Sequence, residues 1–235
     1  MRYPRESRLC CTALLCTLAG WIGVPAALGA AEDAAPDTTS VETGGGRLLD
    51  PAALDEAWTT ILAALAKPHT VKAAFTERRW FSVRKQPVVL QGELRRSPEH
   101  GLSLRYTEPE EQLMIIDATG VLLRNAAGRS RALKGDPRAP QIDALLLPIL
   151  RFDLNALHGR FEIRGTLEGE RWRLDLVPRA TESARSMGHV AVAGEGELVR
   201  QITFSRGPKQ RVEVALGETQ LGVPFSAEEL RRFFR

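Results

Sequence analysis

The spacing of hydrophobic positions changes its period several times along the chain, and each change predicts an element. From residue 50 to 66 the apolar positions Leu54, Trp58, Ile61, Leu62 and Leu65 recur at the three-to-four spacing of one helical face. Asp50 followed by Pro51 predicts the start, a carboxylate that can cap free N–H groups and then a residue whose missing N–H costs nothing in a first turn. Pro68 predicts the stop. From Thr70 the period falls to two: Val71, Ala73 and Phe75 point one way, Lys72, Thr76 and Arg78 the other, and Trp80 and Phe81 are apolar on both faces. Val88 to Arg96 and Leu102 to Tyr106 alternate in the same way on either side of Pro98. Leu113 to Ile116 is an apolar run, Ala118–Thr119–Gly120 turns the chain, and Val121 to Arg124 returns. Strands this close, joined by turns this short, predict an antiparallel meander.

A helical period comes back across 139–158, where Ile142, Leu145, Leu146, Ile149, Leu150, Leu154 and Leu157 are interrupted by Pro148. Two short helices or one kinked helix satisfy that pattern. Strands then resume at Phe161–Ile163, at Trp172, Leu174 and Leu176, at Val190–Val192, at Leu198–Phe204 and at Val212–Leu216. Ser226 and Glu229, at capping-box spacing, open a last short helix. The fold class is α+β. A sheet of about ten antiparallel strands should curl rather than stay flat. The helices carry apolar stripes that need cover. The simplest arrangement is a curved antiparallel sheet forming an unclosed half-barrel, covered by a helical lid. Its inner face would carry Phe75, Leu90, Leu94, Leu104, Tyr106, Leu174 and Leu176.

Residues 1–30 stand outside this pattern. Arg2, Arg5 and Arg8 precede an apolar run from Leu9 to Val24, and Pro25 and small residues follow. This is the layout of a signal peptide, with cleavage after Gly29 or after Ala31 both compatible, and it predicts export to the periplasm. Residues 31–49 have almost nothing to bury and read as a flexible linker. Residues 50–235 then form a single domain, large enough to hold a core by itself. Cys10, Cys11 and Cys16 all lie in the signal segment, so the exported domain holds together without disulfides. Removing that segment takes the net charge from +3 to about +1, which leaves no global positive field to attract nucleic acid.

No catalytic constellation stands out. His69, His100, His158 and His189 are scattered without ligand spacing, so no metal site is expected. No serine occupies a G-x-S-x-G elbow, and Gly44–Gly45–Gly46 lacks the lysine of a phosphate loop. Arg78–Arg79 and Arg95–Arg96 could mark an anion site, but a solvated strand face is the commoner setting for such pairs. What remains is apolar: an incomplete barrel under a removable lid leaves a cavity rather than a packed centre.

Several stretches resemble one family in their order and spacing. They are Phe75, Leu90–Gln91–Gly92–Glu93–Leu94, Pro98, Tyr106, Pro109 and the turn Ile115–Ile116–Asp117–Ala118–Thr119–Gly120. Leu174–Asp175–Leu176–Val177–Pro178 and the strand from Val199 to Phe204 continue the series. Together they resemble the LolA group of periplasmic carriers of outer-membrane lipoproteins. The resemblance implies an eleven-stranded unclosed barrel, a helical lid over an apolar cavity, and shielding of acyl chains without catalysis or cofactor. It also implies an inner-membrane donor and an outer-membrane acceptor, with acylated cargo (lipoprotein or another lipid) passing between them. The family keeps an arginine immediately before the proline, where it fastens the lid. Here Ser97 holds that position and Arg96 comes one residue earlier, so a bulge must restore Arg96 or the lid is held differently.

The expectation is therefore a monomeric, non-enzymatic carrier. Its acyl cavity would be lined by Phe75, Leu94, Leu104, Tyr106, Met114, Ile116, Leu146 and Ile149, with Arg96 fastening the lid. The run around Met114 and Ile116 does not itself assign a face. The rival from another class is a periplasmic sensor or regulatory domain of the same fold that binds a membrane protein partner.

Overall fold

The computed structural model describes residues 45–133, 148–149, 151–181, 184, 188–207 and 209–235. The predicted alternation becomes one twelve-stranded sheet. Its strands are β1 (Arg47–Leu48), β2 (Val71–Trp80), β3 (Val88–Ser97), β4 (Gly101–Glu108), β5 (Gln112–Asp117) and β6 (Gly120–Asn125). They continue as β7 (Ser130–Ala132), β8 (Phe161–Glu168), β9 (Arg171–Pro178), β10 (His189–Glu195), β11 (Leu198–Gly207) and β12 (Gln210–Leu221). Among the described residues they are accompanied by the helices α1 (Glu56–Ala66), α2 (Leu154–His158) and α3 (Ala227–Phe233). No helix among the described residues is long and apolar enough to cross a membrane.

The strand order is β1-β8-β9-β10-β11-β12-β2-β3-β4-β5-β6-β7, and every neighbouring pair is antiparallel. The long C-terminal strand β12 zips onto β2, with Leu216 opposite Phe75 and Val214 opposite Glu77. Among the described residues the two edges, β1 and β7, do not pair, so the sheet is an unclosed half-barrel. The ten strands expected from the sequence are all present, and β1 and β7 are added at the edges. At 2 and 3 residues, these two are too short to show a period.

The added β1 shortens the linker expected over 31–49. Arg47 and Leu48 pair with Gly165 and Arg164, and Leu49, only 1% exposed, donates its N–H to Ile163 O at 2.8 Å. Burial of Leu49 beside Trp58 pulls this stretch into the fold. The helix also starts later than Asp50–Pro51 suggested. Asp50 closes a separate turn by accepting from Ala52 N, and the N-cap is Asp55, whose Oδ1 accepts from Trp58 N at 2.9 Å. Either aspartate is a good cap. Asp55 is the one in phase with the buried stripe Trp58, Leu62 and Leu65. Ser226 and Glu229 do form the expected capping box of α3.

Both main cores share the inner face of the sheet. One is built on β8 to β11, where Ile163, Trp172, Leu174, Leu176, Val190 and Val192 meet Trp58, Leu62 and Leu65 of α1 and Leu154 and Leu157 of α2. The other lies on β2 to β6 and holds Phe75, Leu90, Leu94, Leu104, Tyr106, Met114 and Ile116. The outer face of β3 to β6 is covered as well: α3 lays Phe233 and Phe234 on Leu113 and Ile115. Arg235 holds it there, donating to Asp117 at 2.6 Å and to Gly120 O at 2.6 Å. Burial pushes the Asp117 carboxyl up, but hydrogen bonds from Thr119 and Arg235 outweigh it and hold it below its ordinary pKa. The apolar run Leu113 to Ile116 is thus buried on both faces, Met114 and Ile116 inward, Leu113 and Ile115 under α3.

Candidate functional site

Three inner-face glycines let the sheet meet aromatic rings closely. A Cβ on Gly92 would run into Arg105 O and the Phe75 ring, and one on Gly165 into the Trp58 ring and Leu49. A Cβ on Gly194 would meet the Trp172 ring. Phe75 also makes an edge-to-face contact with Tyr106, ring centroids 5.3 Å apart. The side walls of both cores are set by these seats.

Between the two cores lies a cavity of about 80 Å³. It opens at the end of the sheet where β2 begins and β12 finishes. Val71, Arg96 and Leu102 stand in one row across β2, β3 and β4, and Leu221 pairs with Val71 from β12. Leu198, Val199 and Ile202 of β11 supply the opposite wall. Ala64 and Leu65 of α1 roof one side, and Ile149 and Phe152 another. The lining is aliphatic apart from a rim of Lys67, His69, Arg96, Glu197 and Thr219. Lys67 and Glu197 pair across it at 2.8 Å.

The residues expected around an acyl chain divide into groups. Phe75, Leu94, Leu104, Tyr106, Met114 and Ile116 come together in the β2–β6 core. Of these Leu94 reaches the cavity, as does Ile149 from the other core. Phe75, Leu104, Met114 and Ile116 pack behind Leu94 as its supporting wall. Tyr106 and Met114 border a separate cleft of about 10 Å³ toward Pro109 and Gln112. Leu146 lies outside the described residues. The cavity residues that the pattern missed, Val71, Leu102, Leu198, Ile202, Leu216 and Leu221, sit mostly at strand ends. Being apolar and yet half-buried in most cases is the feature that marks them.

Arg96 faces inward without a bulge. The β3 register is unbroken from Leu94 to Arg96 against β2 and from Leu94 to Ser97 against β4, so ordinary alternation puts Leu94 and Arg96 on one face. Ser97 instead caps the β3–β4 turn, its Oγ accepting from His100 N at 3.3 Å. Burial, and then the nearby Arg151, lower the Arg96 pKa from its ordinary value. Each arginine pair splits between faces: Arg78 is solvated as expected and Arg96 half-buried, whereas their neighbours Arg79 and Arg95 are buried. Arg95 is buried on the outer side with its guanidinium 3.7 Å from the Phe233 ring centre, and Arg79 is buried on the inner side.

Arg79 belongs to a polar group set into the apolar wall. Glu77 is 1% exposed and Arg79 3%, both on the face of Ala73 and Phe75. Arg79 Nε donates to Glu77 Oε1, and the Tyr106 hydroxyl donates to Glu77 Oε2 at 2.9 Å. Burial alone would lower the Arg79 pKa, but Glu77 and Tyr106 outweigh it and hold it above its ordinary value. Burial, and then the Glu77 charge, push the Tyr106 phenol well up. With both donors held more firmly protonated than usual, the group suits a structural clasp rather than proton transfer.

A second polar group lies on the outer face. Asp175, 1% exposed, accepts from Arg173 Nη2 at 2.7 Å and from Arg173 Nε at 2.9 Å. His189 Nε2 stands 2.9 Å from Asp175 Oδ1, a close polar contact although its angle falls short of a good hydrogen bond. Burial raises the Asp175 pKa, but His189 and Arg173 outweigh it and hold it below the ordinary value. A depressed carboxylate contributes its full stability above the unfolded pKa, near 3.9, and loses it as pH falls through the folded value. Asp175→Asn is therefore expected to cost about 2 kcal/mol at neutral pH. The gap to wild type should close below about pH 4. Urea unfolding across pH measures it, and a gap that stays constant into acid would contradict the ion-pair origin. Among the described residues no group of three or more His, Cys, Asp or Glu could hold a metal ion.

The family described as "Outer membrane lipoprotein carrier protein LolA-like" matches residues 49–220. No curated protein matches the sequence. Among solved structures, a chain of the Pseudomonas aeruginosa MucA/MucB complex is similar at 14% identity and TM-score 0.44. The match covers 74% of this chain and 59% of that one, so the present chain spans under two thirds of its length. A LolA superfamily protein from Nitrosomonas europaea is similar at 8% identity and TM-score 0.40, over 73% of this chain and 96% of that one.

Proposed function

We propose, from the premise that this chain belongs to the LolA-like family of outer membrane lipoprotein carrier proteins, that it binds acyl chains in the cavity between its two inner cores. In this reading it works in the periplasm and hands acylated cargo, lipoprotein or another lipid, from an inner-membrane donor toward an outer-membrane acceptor. The observation that carries the reading is the aliphatic cavity at the seam of the half-barrel, walled by strands from both cores and roofed by α1.

Energetics favour reversible binding. Burying acyl carbon is worth about 0.8 kcal/mol per methylene. The cavity, about 80 Å³, is well below the roughly 300–1,000 Å³ of a ligand pocket, so a long chain must part the two cores to enter. Part of the binding energy goes into that opening, which lowers net affinity and permits release. In this reading Arg96, half-buried at the rim of the cavity, is the residue that fastens the lid.

Filling the cavity tests the site. Ala64 lines it, whereas the neighbouring Ala63 is exposed on the other side of α1. Ala64→Trp should weaken binding of a fluorescent fatty-acid probe at least tenfold, about 1.4 kcal/mol, while Ala63→Trp should leave it unchanged. Equal effects would remove the cavity from the reading. Mass spectrometry of what co-purifies from the native host selects the cargo. Bound lipid or lipoprotein supports a carrier, and a stable protein partner without lipid supports a regulatory domain instead.

A further inference from the structure

The end of the sheet opposite the cavity has its own chemistry. Two hairpin tips lie side by side there because β12 pairs with β2, Arg211 opposite Trp80. The first, residues 81–87, reads FSVRKQP, and the second, residues 205–211, reads SRGPKQR. The two stretches hold Arg84, Lys85, Arg206, Lys209 and Arg211 and no acidic residue. Val83 is 73% exposed, the most exposed large apolar side chain among the described residues. Half-buried Phe81 and Trp80 stand behind it. Arg211 is committed, stacked 4.1 Å from the Trp80 ring centre and 2.8 Å from Glu213. Arg84, Lys85 and Lys209 are exposed and make no ion pair among the described residues.

We infer that these paired tips are a docking surface for an anionic lipid bilayer. The composition is that of an interfacial anchor: free cations at the level of the headgroups, one exposed aliphatic side chain at the apex, aromatic residues just behind. Charge complementarity selects the partner, since an anionic membrane surface attracts each nearby lysine or arginine and a neutral one does not. The next tip along the sheet, β4 to β5, carries Glu108, Glu110 and Glu111, of which Glu111 is paired with Arg105 at 2.8 Å. That acidic tip is repelled by the same surface and tilts the molecule so that β11–β12 and β2–β3 make contact first. Docking this way turns the cavity mouth away from the bilayer. Membrane contact and acyl binding are then separable, so this surface goes beyond the carrier reading and does not depend on it.

The test is flotation of the chain, isolated as its host processes it, with vesicles of phosphatidylcholine alone or with added phosphatidylglycerol. Wild type should float with the anionic vesicles, be released by high salt, and ignore the neutral ones. Each lost cation contributes about fivefold, so Arg84→Glu with Lys85→Glu should lower partitioning at least about 25-fold. Val83→Asp should lower it several-fold, and Arg171→Glu, at the far end of the strands, should have no effect. Fatty-acid probe binding should be unchanged throughout. Should the double variant lose probe binding as well, Lys209→Glu on the neighbouring hairpin decides, and an undiminished partition there overturns the proposal. Equal partitioning onto both vesicle types, a double variant that floats like wild type, or an Arg171→Glu effect as large as the double variant's would overturn it too.

Discussion

Replacing Glu77 by leucine is expected to cost the fold about 3–5 kcal/mol, the loss seen when one member of a buried ion pair is removed. Glu77 is held between two donors, Arg79 and the Tyr106 hydroxyl, with almost no access to water. Without it the Arg79 guanidinium stays charged in an apolar wall, since arginine cannot shed its proton. The Tyr106 hydroxyl loses its acceptor at the same time. Replacing both charges, Glu77→Leu with Arg79→Met, should recover most of the loss, because an apolar pair of similar volume avoids the desolvation cost altogether. Urea unfolding of the two variants at neutral pH separates the possibilities. If the double variant is as unstable as the single, the wall depends on the shape of these side chains and not on their pairing.

Trp58→Ala should cost a similar amount, about 3–5 kcal/mol, for a different reason. The indole is buried and rests where Gly165 leaves out a side chain, with Leu49 against it. Truncation empties the seat, and the sheet cannot close the gap because the glycine has no atoms to offer. The same residue fixes α1, which brings Ala64 and Leu65 to the cavity. Fatty-acid probe binding should therefore fall together with stability. Gly165→Val fills the seat from the sheet side and should displace the same helix, giving the same pair of losses. A Trp58→Ala variant within about 1 kcal/mol of wild type would mean that α1 is held by its other contacts.

The elements with a buried face and enough length were legible from the hydrophobic pattern: the stripe of α1, ten of the strands (Leu113 to Ile116 as an apolar run without a period), and the inward set Phe75, Leu94, Leu104 and Tyr106. Residue type misled where partners are distant in sequence. An arginine in a strand suggests solvent, and only the parity of Ala73, Phe75, Glu77 and Arg79 places Arg79 inside. Its partner network includes Tyr106, which joins Glu77 from 29 residues away. Arg95 is buried for a comparable reason, by Phe233 from the C-terminal helix. Two aspartates five residues apart could each cap α1, and the choice was made by Trp58 in the core. The cavity was the least legible feature, because it is assembled from strand ends that periodicity treats as the margins of elements.

The unpaired edges β1 and β7 have a mechanical consequence. In a closed barrel, strand number and stagger fix the radius, so the interior cannot widen unless backbone hydrogen bonds break. Here the ladder ends at two free margins, and the sheet can flatten by small changes of twist spread over eleven interfaces, each keeping its hydrogen bonds. The seam between the cores then behaves as a spring-loaded volume: its capacity is set by curvature, and emptying it returns the sheet to its resting bend. A disulfide or a zipper of designed residues that joined β1 to β7 would stiffen that spring and trap the molecule at one capacity.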